Sequence, residues 1–179
     1  MKPLYDDLWI STPEFPAEET ANDLMMHGFM LRHPRGNLLI GRVEQLLDHE
    51  VLADAGGVIR HYFTHWHEAA PGARAIQQRF NSALYCHSRS LGPVSLVIEP
   101  DETFTHQDVH FGDFSPAAHA GHTPGTAATC ITHRSARPTC LSATPLRGIT
   151  IAGSACWCRT VILRSCSSRW SCTARCVRM

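Results

Sequence analysis

Two short stretches hold side chains whose types and spacing could do chemistry. His65-Trp66-His67-Glu68 places two imidazoles two residues apart, and in extended chain alternate residues point to the same side. Gly121-His122-Thr123-Pro124-Gly125 offers a third imidazole, in a turn where Gly and Pro allow a tight reversal. Imidazole is a common ligand for Zn²⁺, and three His with an open fourth position make a catalytic rather than a structural arrangement. Glu68, the carboxylate beside the pair, is a candidate partner or base. An exposed Glu favoured by a helix dipole is the weightier expectation for it. In a chain with twelve histidines, an H-x-H is also compatible with surface or capping roles. What favours metal binding by His65, His67 and His122 is the combination of both motifs in this order. His87, at a strand end, is a weaker candidate for the same edge, and His119 reads as surface.

The elements that must position these residues follow from pattern. Residues 1–23 carry three prolines and a cluster of acids, with one short strand expected around Leu8 to Ile10. Leu24 to Ile40 gives two apolar runs around His33-Pro34-Arg35-Gly36-Asn37, a hairpin. Val43 to Ala55 places Val43, Leu46, Leu47, Val51 and Leu52 at helical spacing before Gly56-Gly57, which predicts an amphipathic helix. Val58 to Thr64 is a strand by its β-branched and aromatic content. A short helix follows, with Ala75, Ile76 and Phe80 on one side, and then the strand Ser82 to His87. Short β-like runs are expected at residues 94–100, 102–111 and 114–118. Strand, His-loop, helix, strand is the grammar of a layered α/β fold.

The text FTHWHE at 63–68 and AGHTPGTAA at 120–128, with a helix and a strand ending in Cys86-His87 between them, resembles the metallo-β-lactamase superfamily. It is most similar to the glyoxalase II-like hydrolases, where T-H-x-H-x-D-H precedes G-H-T-P-G. The resemblance covers residues 24 to 128. It implies an α/β fold, an αββα sandwich of two mixed sheets, with metal held in loops at one edge. It also implies a metal-dependent hydrolase in which zinc activates water against an ester, thioester or lactam carbonyl of a small molecule. Ala69 and Ala70 stand where the family pattern has Asp and His. No acidic residue follows Asp113 to supply the bridging Asp, and no histidine follows His133. One zinc ion is therefore expected, the ligands of a second being absent. The alternative is an inactive remnant that at most binds one metal.

The chain changes character near residue 130. Residues 1–113 hold all sixteen acids and eight bases, whereas residues 114–179 hold eight arginines and no Asp, Glu or Lys. Seven of the eight cysteines follow residue 129. A surface normally mixes both signs. The expected division is a metallo-β-lactamase-like domain over 1–128 and an atypical Cys/Arg/Ser-rich tail over 129–179, disordered or translated out of frame, which leaves the sandwich incomplete. Ser142-Ala143-Thr144-Pro145 has codons that, read in another frame, give the Gly-Asp-Thr such a family would have there. A frame change is expected between about Ala128 and Cys140. A zinc knot and a nucleic-acid surface are both disfavoured for the tail, because the cysteines lack C-x₂-C spacing and the arginines are scattered. Met1 to Pro16 lacks a basic start and an apolar core, and no run of about 18 apolar residues occurs. A cytoplasmic protein without a membrane span is expected, with its thiols reduced.

Overall fold

Phe29-Met30-Leu31 and Leu38-Leu39-Ile40 are buried at every position, which a strand achieves when both of its faces are covered. A computed structural model shows how. It describes residues 1–14, 26–105, 108–118, 123–131, 139–142, 146–151, 154–158, 161–168 and 171–176.

Seven strands form one sheet in chain order: β1 (Lys2–Tyr5), β2 (Leu8–Ile10), β3 (Phe29–Leu31), β4 (Leu38–Ile40), β5 (Arg60–Tyr62), β6 (Ala83–His87) and β7 (Glu102–Phe104). The first four pair antiparallel, and β4 to β7 pair parallel. The parallel crossovers carry helices α1 (Leu46–Asp54), α2 (Pro71–Phe80) and α3 (Leu91–Ser95). A second sheet contains β8 (Phe114–Ala118), β9 (Ala127–Ile131), β10 (Thr139–Ser142), β13 (Val161–Ser168) and β14 (Ser171–Cys176). Its pairings are antiparallel throughout. β11 (Leu146–Ile151) and β12 (Ser154–Cys158) make a separate antiparallel pair.

Strand alternation divides the apolar residues into layers. Leu8, Ile10, Phe29, Leu31, Leu38, Ile40, Tyr62 and Phe104 face Phe114 and Ala127 of the second sheet. Met30 and Leu39 face outward onto Val43, Leu52, Val58 and Ile76. Phe63, Leu84 and Cys86 meet Ala73, Val94 and Ile98. The three helices thus cover one face of the larger sheet, and the smaller sheet covers the other. This is the sandwich expected from the sequence. Strand β2, the hairpin β3–β4, helix α2 and strands β5 and β6 lie where pattern put them, while β1 was not anticipated.

Three expectations are corrected. In α1, Leu46 and Leu47 are 76% and 81% exposed, and the inward face is Asp48, His49 and Leu52. The polar pair is buried because its groups are matched. Asp48 accepts from the Met1 amino group, from the Thr12 backbone N–H at 2.8 Å and from the Thr12 hydroxyl at 3.3 Å, and His49 Nε2 donates to Val43 O at 3.0 Å. Residues 94–100 are not a strand. Val94 and Ile98, four apart, are buried, whereas Leu96 and Val97 are exposed. That is a helical period, begun by α3 with Pro93 in its first turn. On α2, Ala73 rather than Ala75 joins Ile76 in the core.

Candidate metal centre

β5 delivers its last residues to the carboxyl edge of the parallel strands, where open α/β sheets place their sites. Phe63 N–H still donates to Tyr85 O across to β6, at 2.9 Å. One residue later the ladder stops: Thr64 N–H turns to the Glu68 carboxylate, at 2.6 Å. Trp66–Glu68 forms a single 3₁₀ turn, with Glu68 N–H on His65 O at 3.2 Å and Ala69 N–H on Trp66 O at 3.1 Å. Glu68 folding back on Thr64 resembles a capping box shifted by one residue.

This turn holds His65 and His67 close together. Their ring centroids lie 5.3 Å apart at 74°, and the His67 ring lies 3.7 Å from that of Trp66. His65 is buried and His67 half-buried. Glu68, expected to be exposed, is 1% exposed and contacts His65 Nδ1 at 3.1 Å. Its exposure was misjudged because the sequence does not show that its side chain curls inward over Thr64.

The turn after residue 122 is tied to the same place. Ala127 N–H donates to Thr64 O at 2.7 Å. Thr126 Oγ1 donates to Thr123 O at 2.8 Å and lies 2.9 Å from Thr123 Oγ1. Ser90 Oγ donates to Pro124 O at 3.1 Å. Gly125 adopts φ of 80°, and a Cβ there would sit 2.5 Å from Ser90 Oγ and 3.1 Å from His87 Nδ1. Glycine is therefore required both for the left-handed backbone and for the close approach. His87 ends β6, is buried, and accepts the Arg89 N–H on Nδ1 at 3.0 Å.

His122, the third expected ligand, lies outside the described residues, as do Gly121, His119 and His133. Among the described residues, no group of three or more His, Cys, Asp or Glu is placed to hold a metal. The structure brings together two imidazoles, one of them backed by a carboxylate, which suits a borderline metal. Ala69 and Ala70 follow them and provide no donor, Ala70 being the buried residue that precedes α2. Cys86 is fully buried, and that burial pushes its thiol up to about 11.

Three residues escaped sequence reasoning. Thr64 and Thr126 look like ordinary strand residues, yet the Thr64 carbonyl accepts the Ala127 N–H from the second loop, and the Thr64 and Thr126 hydroxyls each brace their own turn. His61 lies on the helix-facing side of β5. Its Nε2 donates to Gly41 O at 2.7 Å, its Nδ1 has no partner among the described residues, and burial brings its pKa down to about 4. Its alternation with Phe63 was the available signal.

No family profile and no curated protein sequence matches the chain. Solved structures do. The subclass B3 metallo-β-lactamase BJP-1 of Bradyrhizobium japonicum superposes with a TM-score of 0.56 at 15% identity, over 70% of this chain and 60% of that one. FEZ-1 metallo-β-lactamase from Legionella gormanii gives 0.55 at 14% identity, over 71% and 60%. LRA-12, a class B3 di-zinc metallo-β-lactamase from an Alaskan soil metagenome, gives 0.51 at 17% identity, over 64% and 54%. The chain thus spans about 60% of the length of the first two, and what these likenesses establish is its fold, a sandwich built as in metallo-β-lactamases.

Proposed function

We propose that the chain is a metal-dependent hydrolase in which His65, His67 and His122 hold one zinc ion beside a small-molecule carbonyl substrate. The observation that carries this reading is the hydrogen bond from Ala127 N–H to Thr64 O, at 2.7 Å. It fastens the turn that follows His122 to the residue that precedes His65. A zinc ion held by three imidazoles acts as a Lewis acid and brings the pKa of water towards about 7. The chain's own residues bind and orient: Thr64 and Glu68 brace His65, Trp66 flanks His67, and Ser90 with Gly125 sets the turn. Ala69, Ala70 and the absence of Asp or Glu after Asp113 favour one ion over two.

The order of motifs is similar to that of glyoxalase II-like enzymes, which favours an ester or thioester, whereas the solved likenesses are to β-lactamases, which favours a lactam. A cytoplasmic setting belongs to the same reading. Among the described residues, no helix is long and apolar enough to cross a membrane.

A second reading is an inactive remnant that binds at most one metal. It is favoured by the same missing acids and by a tail that we read as out of frame. Sequencing the gene tests the tail. If no single insertion or deletion restores an acidic, patterned end, the frame change is wrong.

The deciding experiment is metal content by mass spectrometry on freshly purified protein, beside His65→Ala and His122→Ala. About one zinc per chain, lost in both variants, is expected. Zinc bound equally by all three would sink the three-His site. Turnover of a chromogenic cephalosporin or of a thioester then separates the enzyme from the remnant and one substrate class from the other.

A further inference from the structure

Glu68 carries three hydrogen bonds at the base of the His65 turn. Its Oε2 accepts the Thr64 backbone N–H at 2.6 Å, and its Oε1 accepts the Thr64 hydroxyl at 2.6 Å and lies 3.1 Å from His65 Nδ1. With this set of donors the carboxylate acts as acceptor. It is 1% exposed, and its buried oxygens are committed to these partners. Among the described residues neither Lys nor Arg reaches it, and its ion-pair contact is the His65 imidazole.

A buried carboxylate without a fixed counter-charge is costly. A cation beyond the far side of the imidazole would supply that charge. The hydrogen bond also decides which nitrogen faces away: with the proton on Nδ1, the lone pair resides on Nε2. Carboxylates so placed raise the basicity of a histidine ligand and fix its ring.

We propose that Glu68 is a positioning residue and not the base of the reaction: it holds His65 as the Nδ1–H tautomer and so presents Nε2 as the metal ligand. The metal half of this proposal rests on the hydrolase reading above. The tautomer half rests on the hydrogen bond alone.

Two measurements on the full chain test it. Nitrogen-15 NMR of the metal-free protein reads the tautomer of His65 directly, and Nδ1–H is expected. Zinc titration then compares wild type with Glu68→Gln and Glu68→Asp, with thermal unfolding to show that each variant is folded. Glu68→Gln is expected to weaken zinc binding by roughly 10–100-fold and to mix the tautomers, and Glu68→Asp to restore part of both. A merely structural role would leave the tautomer of a folded variant unchanged. An Nε2–H tautomer in the wild type overturns the proposal, and so does a folded Glu68→Gln that binds zinc as tightly as wild type. If the wild type binds no zinc, the hydrolase reading fails, and the NMR tautomer still decides whether Glu68 positions His65.

Discussion

β5 carries one polar cluster on its own side chains, and the loop that follows it carries another of a different kind. At the strand's start, Arg60 lies over the Phe111 ring at 4.2 Å and the Tyr85 ring at 5.1 Å, with its Nη1 3.3 Å from Tyr62 Oη and 3.2 Å from His110 Nδ1. Tyr62 Oη meets His110 Nδ1 at 2.6 Å, and the Tyr62 ring stacks on Tyr85 at 4.8 Å. Burial pushes Tyr62 up to about 12 and lowers His110, with Arg60 adding to the latter. The Arg60 charge thus has aromatic faces and hydrogen-bond acceptors around it. In the loop beyond the strand, the ion-pair partner of Glu68 among the described residues is an imidazole, and the His65 and His67 rings come together. The first group surrounds a cation with aromatic rings and acceptors, and the second pairs a buried carboxylate with an imidazole.

If that contrast is right, damage at the two clusters has different readouts. The largest effect is expected in the Arg60–Tyr62–His110 cluster. Tyr62→Ala removes a buried ring and should cost on the order of 3–5 kcal/mol of stability in urea unfolding, while zinc per folded chain stays as in wild type. Equal loss of zinc affinity would erase the distinction.

Acid should come next. His61 has its pKa lowered to about 4 from 6.5 by burial, and His110 is lowered too. The unfolded chain therefore takes up protons first as pH falls. Stability should hold above about pH 6.5, decline between 6.5 and 4, and level off below, with up to about 3 kcal/mol from His61. His61→Gln should flatten that slope in denaturation curves taken across the window. An unchanged slope would show that His61 is not the group responsible.

Thr64→Val deletes one hydroxyl donor to Glu68 and should cost about 1–2 kcal/mol. Unlike Tyr62→Ala, it should also weaken zinc binding, because the carboxylate loses part of its anchor. The smallest effect is expected on α1. Leu46→Gln and Leu47→Gln should shift stability by no more than about 0.5 kcal/mol, and a larger loss would mean that this face is covered in solution.

How far the sequence carries follows from the same residues. The βαβ unit around the His pair was legible because strand content, Pro71-Gly72 and the next strand punctuate it clearly. The inward face of α1 was not, since Asp48 and His49 are buried through partners on Thr12, Met1 and Val43 that lie far away or fold back over the chain. Residues 94–100 misled because a run of apolar residues has no period of its own, and Val94 and Ile98 reveal a helical one only once β6 is beside them. The closeness of the His65 and His67 rings was legible in their spacing. The role of Glu68 was hidden in its rotamer, although a Glu three residues after a His on a tight turn was a usable sign. His122 remains a reading of sequence, its placement lying outside the described residues.

The seven-stranded sheet runs in chain order from β1 to β7. Each strand pairs with the one made just before it, so no strand waits for a distant partner while synthesis proceeds. Pairing between strands that are neighbours in sequence keeps the closed loops short and limits the entropy lost in closing them. The larger sheet can therefore assemble progressively as the chain emerges, before β8 to β14 exist. A ribosome stalled just after β7 has left its exit tunnel should already hold a protease-resistant N-terminal half.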